Sequence, residues 1–178
     1  MKQIKLKNGD IAIIRKADKS DARAMLEYID SISKESDFLT FGEGEFGKTL
    51  EQEENFIDNI SKQNNAIFII IEVEGRIVGN LNFSSGMRPR IAHTGEFGVS
   101  VLKEYWGQGI GTILINYLIE WCKQSEFIKK INLRVRSDNH SAICLYKKLG
   151  FKEEGVITRD FLINNRFYDS ISMGLNID

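Results

Sequence analysis

The sequence predicts a mixed α/β (α+β) domain with a central, mostly antiparallel sheet of about seven strands flanked by four helices. Three observations carry that reading. Short β-branched runs recur between tight-turn signals, as in Ala66 to Val73 and Ile77 to Phe83 on either side of Glu74-Gly75. Two polar-capped stretches with helical periodicity lie in the first third of the chain. A strand, three alternating glycines, a long helix and another strand follow one another past mid-chain, which requires one parallel crossover.

The elements follow in order. Asn8-Gly9-Asp10 is a hairpin turn between Ile4-Lys5-Leu6 and Ile11 to Arg15. Ser20 is a candidate cap for a helix to about Ser33, with Ala24, Met25, Tyr28, Ile29 and Ile32 on its apolar stripe. Thr49-Leu50-Glu51-Gln52 reads as a capping box for a second helix to about Asn64. Gly95 to Val101 is a strand, Thr112 to Phe127 a helix, and Lys130 to Val135 a strand. Ser137-Asp138-Asn139 opens a short helix that ends at Leu149 with Gly150 as its stop. Phe151 to Ile157 and Arg166 to Leu175 close the chain as strands. The single proline, Pro89, falls in a loop.

At 178 residues, 42% hydrophobic and 28% charged, the chain reads as one domain, 1–178, with a core from about residue 11 to 176. A net charge of −1 argues against a generic nucleic-acid binder. Cys122 and Cys144 form no metal or redox motif, so no metal is expected and a reducing compartment fits them. The basic Met1 to Lys7 stretch leads into no apolar segment of the signal-peptide kind. The longest apolar run, Ala66 to Ile71, is far short of the roughly 20 residues that span a bilayer. The expectation is a cytoplasmic protein without membrane or nucleic-acid partners.

The strongest chemical signal is Val99 to Gly111, a β-branched strand running into Gly107, Gly109 and Gly111 and then directly into a helix. Glycines let a ligand approach the backbone closely, and the first helical amides have no partners within the helix. With the helix dipole they form a site for an anion such as phosphate. The same glycines also fit a tight turn that only permits packing. Thr112 follows Gly111 where a Walker loop needs lysine, and it stands where a dinucleotide fingerprint needs its third glycine. Both nucleotide readings fail on spacing.

These residues resemble the GCN5-related N-acetyltransferase (GNAT) superfamily. Its acyl-CoA signature, Arg/Gln-x-x-Gly-x-Gly/Ala at a helix start, is matched by Trp106-Gly107-Gln108-Gly109-Ile110-Gly111, with Trp106 in place of the usual Arg or Gln. Downstream, Asn139 to Phe151 is similar to the second family motif, N-x-x-A-x-x-L-Y-x-x-x-G-F. In pattern the chain looks closest to the ribosomal-protein alanine N-acetyltransferase-like and polyamine acetyltransferase branches.

The resemblance implies a fold and a set of roles. Acetyl-CoA would be the cosubstrate, its pantetheine arm pairing with the backbone of Val99 and Val101. The turn from Trp106 through Gly107, Gln108, Gly109, Ile110 and Gly111 to Thr112 would hold its pyrophosphate. Asn139 would lie near the thioester, although a plain helix cap explains it equally. Tyr146 would be the general acid that protonates the departing thiolate. From spacing alone it also belongs to a core stripe with Ala142, Leu145 and Leu149. Glu96 is the candidate general base, with ordered water as its rival for that task and a surface strand carboxylate as the plain alternative. Strand parity places it on one face with Gly98 and Ser100.

Charge is unevenly spread. From Asp37 to Asp58 seven acids face Lys48 alone, −6, which leaves +5 for the rest of a chain whose total is −1. The resemblance puts this segment over the acceptor pocket, where Glu43 and Glu45 would meet a cationic amine. Glu51, Glu53 and Glu54 fit a solvated helix face. Lys129, Lys130, Arg134, Arg136, Lys147 and Lys148 are candidates for the 3′-phosphate of CoA. The activity implied is acetyl transfer to a primary amine (a peptide N-terminus, a polyamine or another small amine) by direct attack in a ternary complex. Alternatives are acetylation of a xenobiotic amine and a CoA-binding regulatory module without catalysis. C-terminal edge strands of such domains can also pair two copies into a homodimer.

Overall fold

A computed structural model describes all 178 residues, Met1–Asp178. Four helices and one eight-stranded sheet are present, antiparallel at every described pairing except β5 with β6. The sheet exceeds the expected count by one because β1 (Lys2–Lys5) pairs along its whole length with β2 (Ile11–Lys16). The chain divides into two compact units, Met1–Ser84 with Gly98–Leu118, and Ser85–Phe97 with Ile119–Asp178. Strand β5 (Thr94–Val101) and helix α3 (Ile110–Gln124) run from one unit into the other.

In the first unit β1, β2, β3 (Ala66–Val73) and β4 (Arg76–Ser85) form an antiparallel series. Seven of the eight β3 residues are buried, so its continuous apolar run marks burial on both faces. Helix α1 (Ala22–Glu35) buries Met25, Tyr28, Ile29 and Ile32 of the expected stripe. Its start differs from expectation: Asp18, not Ser20, is the capping side chain, accepting from Ser20 N and heading a short 3-10 turn. Helix α2 (Leu50–Ser61) opens on the expected capping box of Thr49 and Gln52. Arg15 on β2 is held between Asp21 at 2.7 Å and Glu72 on β3 at 2.8 Å. Burial raises the Asp21 carboxyl, but the Arg15 hydrogen bond, the Asp18 backbone amide and the Arg15 charge together outweigh it, leaving it below its ordinary value.

In the second unit the N-terminal half of β5 pairs in parallel with β6 (Lys130–Arg136), and β6, β8 (Arg166–Asn176) and β7 (Lys152–Ile163) continue antiparallel. The β5–β6 ladder stops at Glu96↔Asn132, although both strands run on through Phe97 and Leu133. Strand β7 is longer than its alternation suggested. An irregularity between Ile157 and Phe161 breaks the period, after which the strand resumes and turns at Asn164-Asn165, both at positive φ. Helix α4 (His140–Lys148) ends before Gly150 at φ 94°, the left-handed stop expected of it.

Candidate active site

The glycine turn lies in the first unit. Gly107 and Gly109 take φ of 76° and 88°, conformations that side-chain-bearing residues rarely adopt. A Cβ on Gly107 would meet no atom within 4 Å, so the backbone there is open to a ligand. Helix α3 starts at Ile110, two residues earlier than its periodicity suggested, because Gly109 already accepts its first hydrogen bond, from Ile113 N at 3.0 Å. The amides of Ile110, Gly111 and Thr112 therefore precede that bond and have no acceptor within the helix. Gln108 N turns back to Tyr105 O at 3.4 Å. The arrangement is a cradle of donors at a helix N-terminus, suited to a phosphate-bearing ligand.

Two neighbours of this turn were not singled out in the sequence. Asn8 N donates to Gln108 Oε1 at 2.9 Å, so the first hairpin pins the turn. A Cβ on Gly109 would lie 3.9 Å from Lys7 Cε, which puts a cation beside the cradle. Both contacts join residues about 100 positions apart, beyond any local pattern. Trp106 folds back, its indole Nε1 donating to Val101 O at 2.8 Å. One lone pair of that carbonyl is thereby used. Ser100 sits in a chain in which Tyr28 O–H and Ser100 Oγ lie 2.9 Å apart and Ser100 Oγ donates to Asn80 Oδ1 at 3.0 Å.

The acidic segment, also in the first unit, is less solvated than expected. Glu53 is 1% exposed and bonds Lys48 at 3.0 Å, while the Lys48 ammonium stands 3.7 Å over the Phe56 ring. Glu53 thus leaves the solvated face proposed for it and anchors the segment from within, since a buried carboxylate persists only with a partner. Glu43 lies 3.8 Å from Lys34, and Glu45 accepts from Gly42 N at 2.6 Å.

In the second unit Tyr146 is 8% exposed and packs edge-on against Phe97 and Phe151, each at 6.0 Å. Burial disfavours its phenolate and pushes its pKa up to about 12. Asn139 caps α4, its Oδ1 accepting from Ala142 N at 3.2 Å. Glu96 precedes Phe97, so it projects from the sheet face opposite to the Tyr146 cluster. Its carboxylate, half-exposed, bonds Arg134 Nε at 3.1 Å. The expected cations are mostly partnered here: Lys130 with Glu154, Arg136 with Asp138 and Lys147 with Glu153.

The first unit thus holds a cradle of the strand–glycine–helix kind. Residues 27–151 match the Acetyltransferase (GNAT) family, and the chain belongs to that family. It is 34% identical over 101 residues to the L-amino acid N-acetyltransferase AaaT of Escherichia coli K12, a match covering 57% of this chain and 62% of that protein. It is 25% identical over 153 residues to the spermidine N(1)-acetyltransferase of Vibrio cholerae, covering 83% and 84%. Among solved structures, a GNAT-family acetyltransferase from Streptococcus pneumoniae superposes with a TM-score of 0.91 at 30% identity, over 93% of this chain and 99% of that one. No helix is long and apolar enough to cross a membrane.

Proposed function

We propose that this protein is an acetyl-CoA-dependent N-acetyltransferase acting on a primary amine by direct attack in a ternary complex. The observation that carries the reading is the donor cradle at Gly107–Thr112, with its two left-handed glycines, in a chain of this family. The cradle fits the cosubstrate: it is open where a Cβ would stand, and its donors suit a pyrophosphate. Val101 retains one carbonyl lone pair for the pantetheine amides, and Lys7 adds a cation to the phosphate side.

The amine nitrogen attacks the thioester carbonyl, a C–N bond forms, the C–S bond breaks, and the thiolate takes a proton. Tyr146 is the proton donor in this reading. A phenol with its pKa pushed up to about 12 is protonated at neutral pH, so it carries a proton to give when the thiolate departs. Glu96, an exposed carboxylate beside Arg134, receives the ammonium proton directly or through water. Its hydrogen bond from Arg134 Nε at 3.1 Å fixes the carboxylate where the ammonium can be held and oriented.

The test is release of CoA thiol with L-amino acids, Ala- and Ser-initiated peptides, spermidine and a xenobiotic amine, alongside calorimetric titration with CoA. Thiol release with one acceptor class, and CoA binding in the micromolar range, are expected. Tight CoA binding with no release for any amine would identify a non-catalytic module instead.

A further inference from the structure

Arg134 lies on the open polar face of the second unit, flanked by two carboxylates. Its Nε donates to Glu96 at 3.1 Å, and its Nη1 stands 3.6 Å from Asp160 Oδ1. Glu96 shares that face because it is paired in register with Asn132, two residues before Arg134. A guanidinium carries its donors in a planar fork, and these contacts leave Nη2 for a further acceptor. Glu96 is 51% and Arg134 49% exposed, so both are reachable from solvent.

Stability does not account for the arrangement. An exposed ion pair contributes little to folding, yet Asp160 is brought to Arg134 by costly backbone. It follows Arg159, a non-glycine residue at φ 53°, within the irregularity of β7 between Ile157 and Phe161. That left-handed residue is held by a dedicated hydrogen bond, Arg159 N to Asp169 Oδ1 at 2.9 Å. Strand irregularities and left-handed residues of this kind concentrate where a side chain is aimed for function. The ladder between β5 and β6 also ends at Glu96↔Asn132, so the pair stands where the two strands stop bonding to each other.

We propose that Glu96 and Arg134 read the two charges of the acceptor, Glu96 taking its ammonium and Arg134 Nη2 the carboxylate borne by the same carbon. The acceptor is then a free α-amino acid or another amine with a carboxylate on the carbon that bears the ammonium. Asp160 is a positioning residue: it holds Nη1 of Arg134 while Glu96 holds Nε, which leaves Nη2 for the acceptor. A polyamine or a peptide N-terminus presents no carboxylate at that carbon and leaves Arg134 unsatisfied. This deepens the acetyltransferase reading and rests on it.

The experiment is initial-rate kinetics of the full chain with matched acceptors, free L-amino acids against their α-amides, together with spermidine. A charge-assisted hydrogen bond supports an acid-over-amide preference of about 10- to 100-fold in kcat/KM, carried mainly by KM. Arg134→Met should collapse that ratio towards one, and Asp160→Asn should lower it less. Arg134→Lys, which keeps the charge but not the fork, should retain part of it. Equal use of acids and amides by the unsubstituted chain, or a ratio that survives Arg134→Met, overturns the proposal while leaving the acetyltransferase reading intact. No thiol release with any amine overturns both.

Discussion

The glycine turn ahead of α3 and the Tyr146–Glu96 region are built in opposite ways. The turn uses backbone: two left-handed glycines and the amides of a helix start, with the side chains of Trp106 and Gln108 bonded back into the scaffold. The second region uses side chains, a phenol packed among aromatics and a carboxylate bonded to a guanidinium. Backbone donors carry no sequence identity beyond glycine, so such a site tolerates Trp106 where the family places Arg or Gln. Side-chain sites tolerate no such exchange. The difference teaches where substitutions should act through conformation and where through chemistry.

The sharpest break in the side-chain region is Tyr146→Phe. It keeps the packing against Phe97 and Phe151 and removes only the acidic proton. The expected outcome is a fall in kcat of about 100-fold or more with little change in KM, read by steady-state thiol release. An unchanged kcat would remove Tyr146 from the proton path. On the backbone side, Gly109→Val forces a branched side chain on to φ 88°. Binding of CoA should weaken by roughly 10- to 100-fold by calorimetry, with the melting temperature lowered by several degrees, about the cost of the backbone strain. A loss of folding instead would make the turn a structural element first.

Buried titratable groups of the second unit supply a pH test. Burial raises Tyr146 from 10.0 and the fully buried Cys122 from 9.0, both to about 12. Both groups bind their protons more tightly folded than unfolded. Their contribution is therefore complete below pH 9 and is lost as pH rises from 9 to 12. Urea midpoints should fall across that window, and less steeply in Tyr146→Phe. The smallest expected effect is at Arg76–Glu104, an exposed pair in the first unit at 57% and 53% exposure. Glu104→Gln should change stability by less than about 1 kcal/mol, measured by urea unfolding.

Much of the fold was legible because it rests on local rules. The Thr49–Gln52 box, the Glu74-Gly75 and Asn8 to Asp10 turns, the Gly150 stop and the parallel β5–β6 crossover all follow from short patterns, and all are present. The less legible features each involve a partner distant in sequence. Glu53 reads as one of three surface acids on α2, and its burial is explained by its ion pair with Lys48, whose ammonium stands over the Phe46 and Phe56 rings. Asp160 reads as a loop residue because the β7 irregularity breaks the two-residue period that marks a strand.

The sequence by itself determined the class of the chain and the position of its glycine turn, because glycine spacing and helix starts are properties of contiguous backbone. It also supplied Tyr146 and Asn139 as candidates through their motif positions, and Glu96 through its place on the strand before the glycine turn. Tertiary structure alone decided what those groups face: Arg134 against Glu96, Asp160 against Arg134, Phe97 and Phe151 around Tyr146, and Asn8 against Gln108. Electrostatic and packing energies depend on distances across strands and turns. Residues tens of positions apart acquire such distances only when the chain folds.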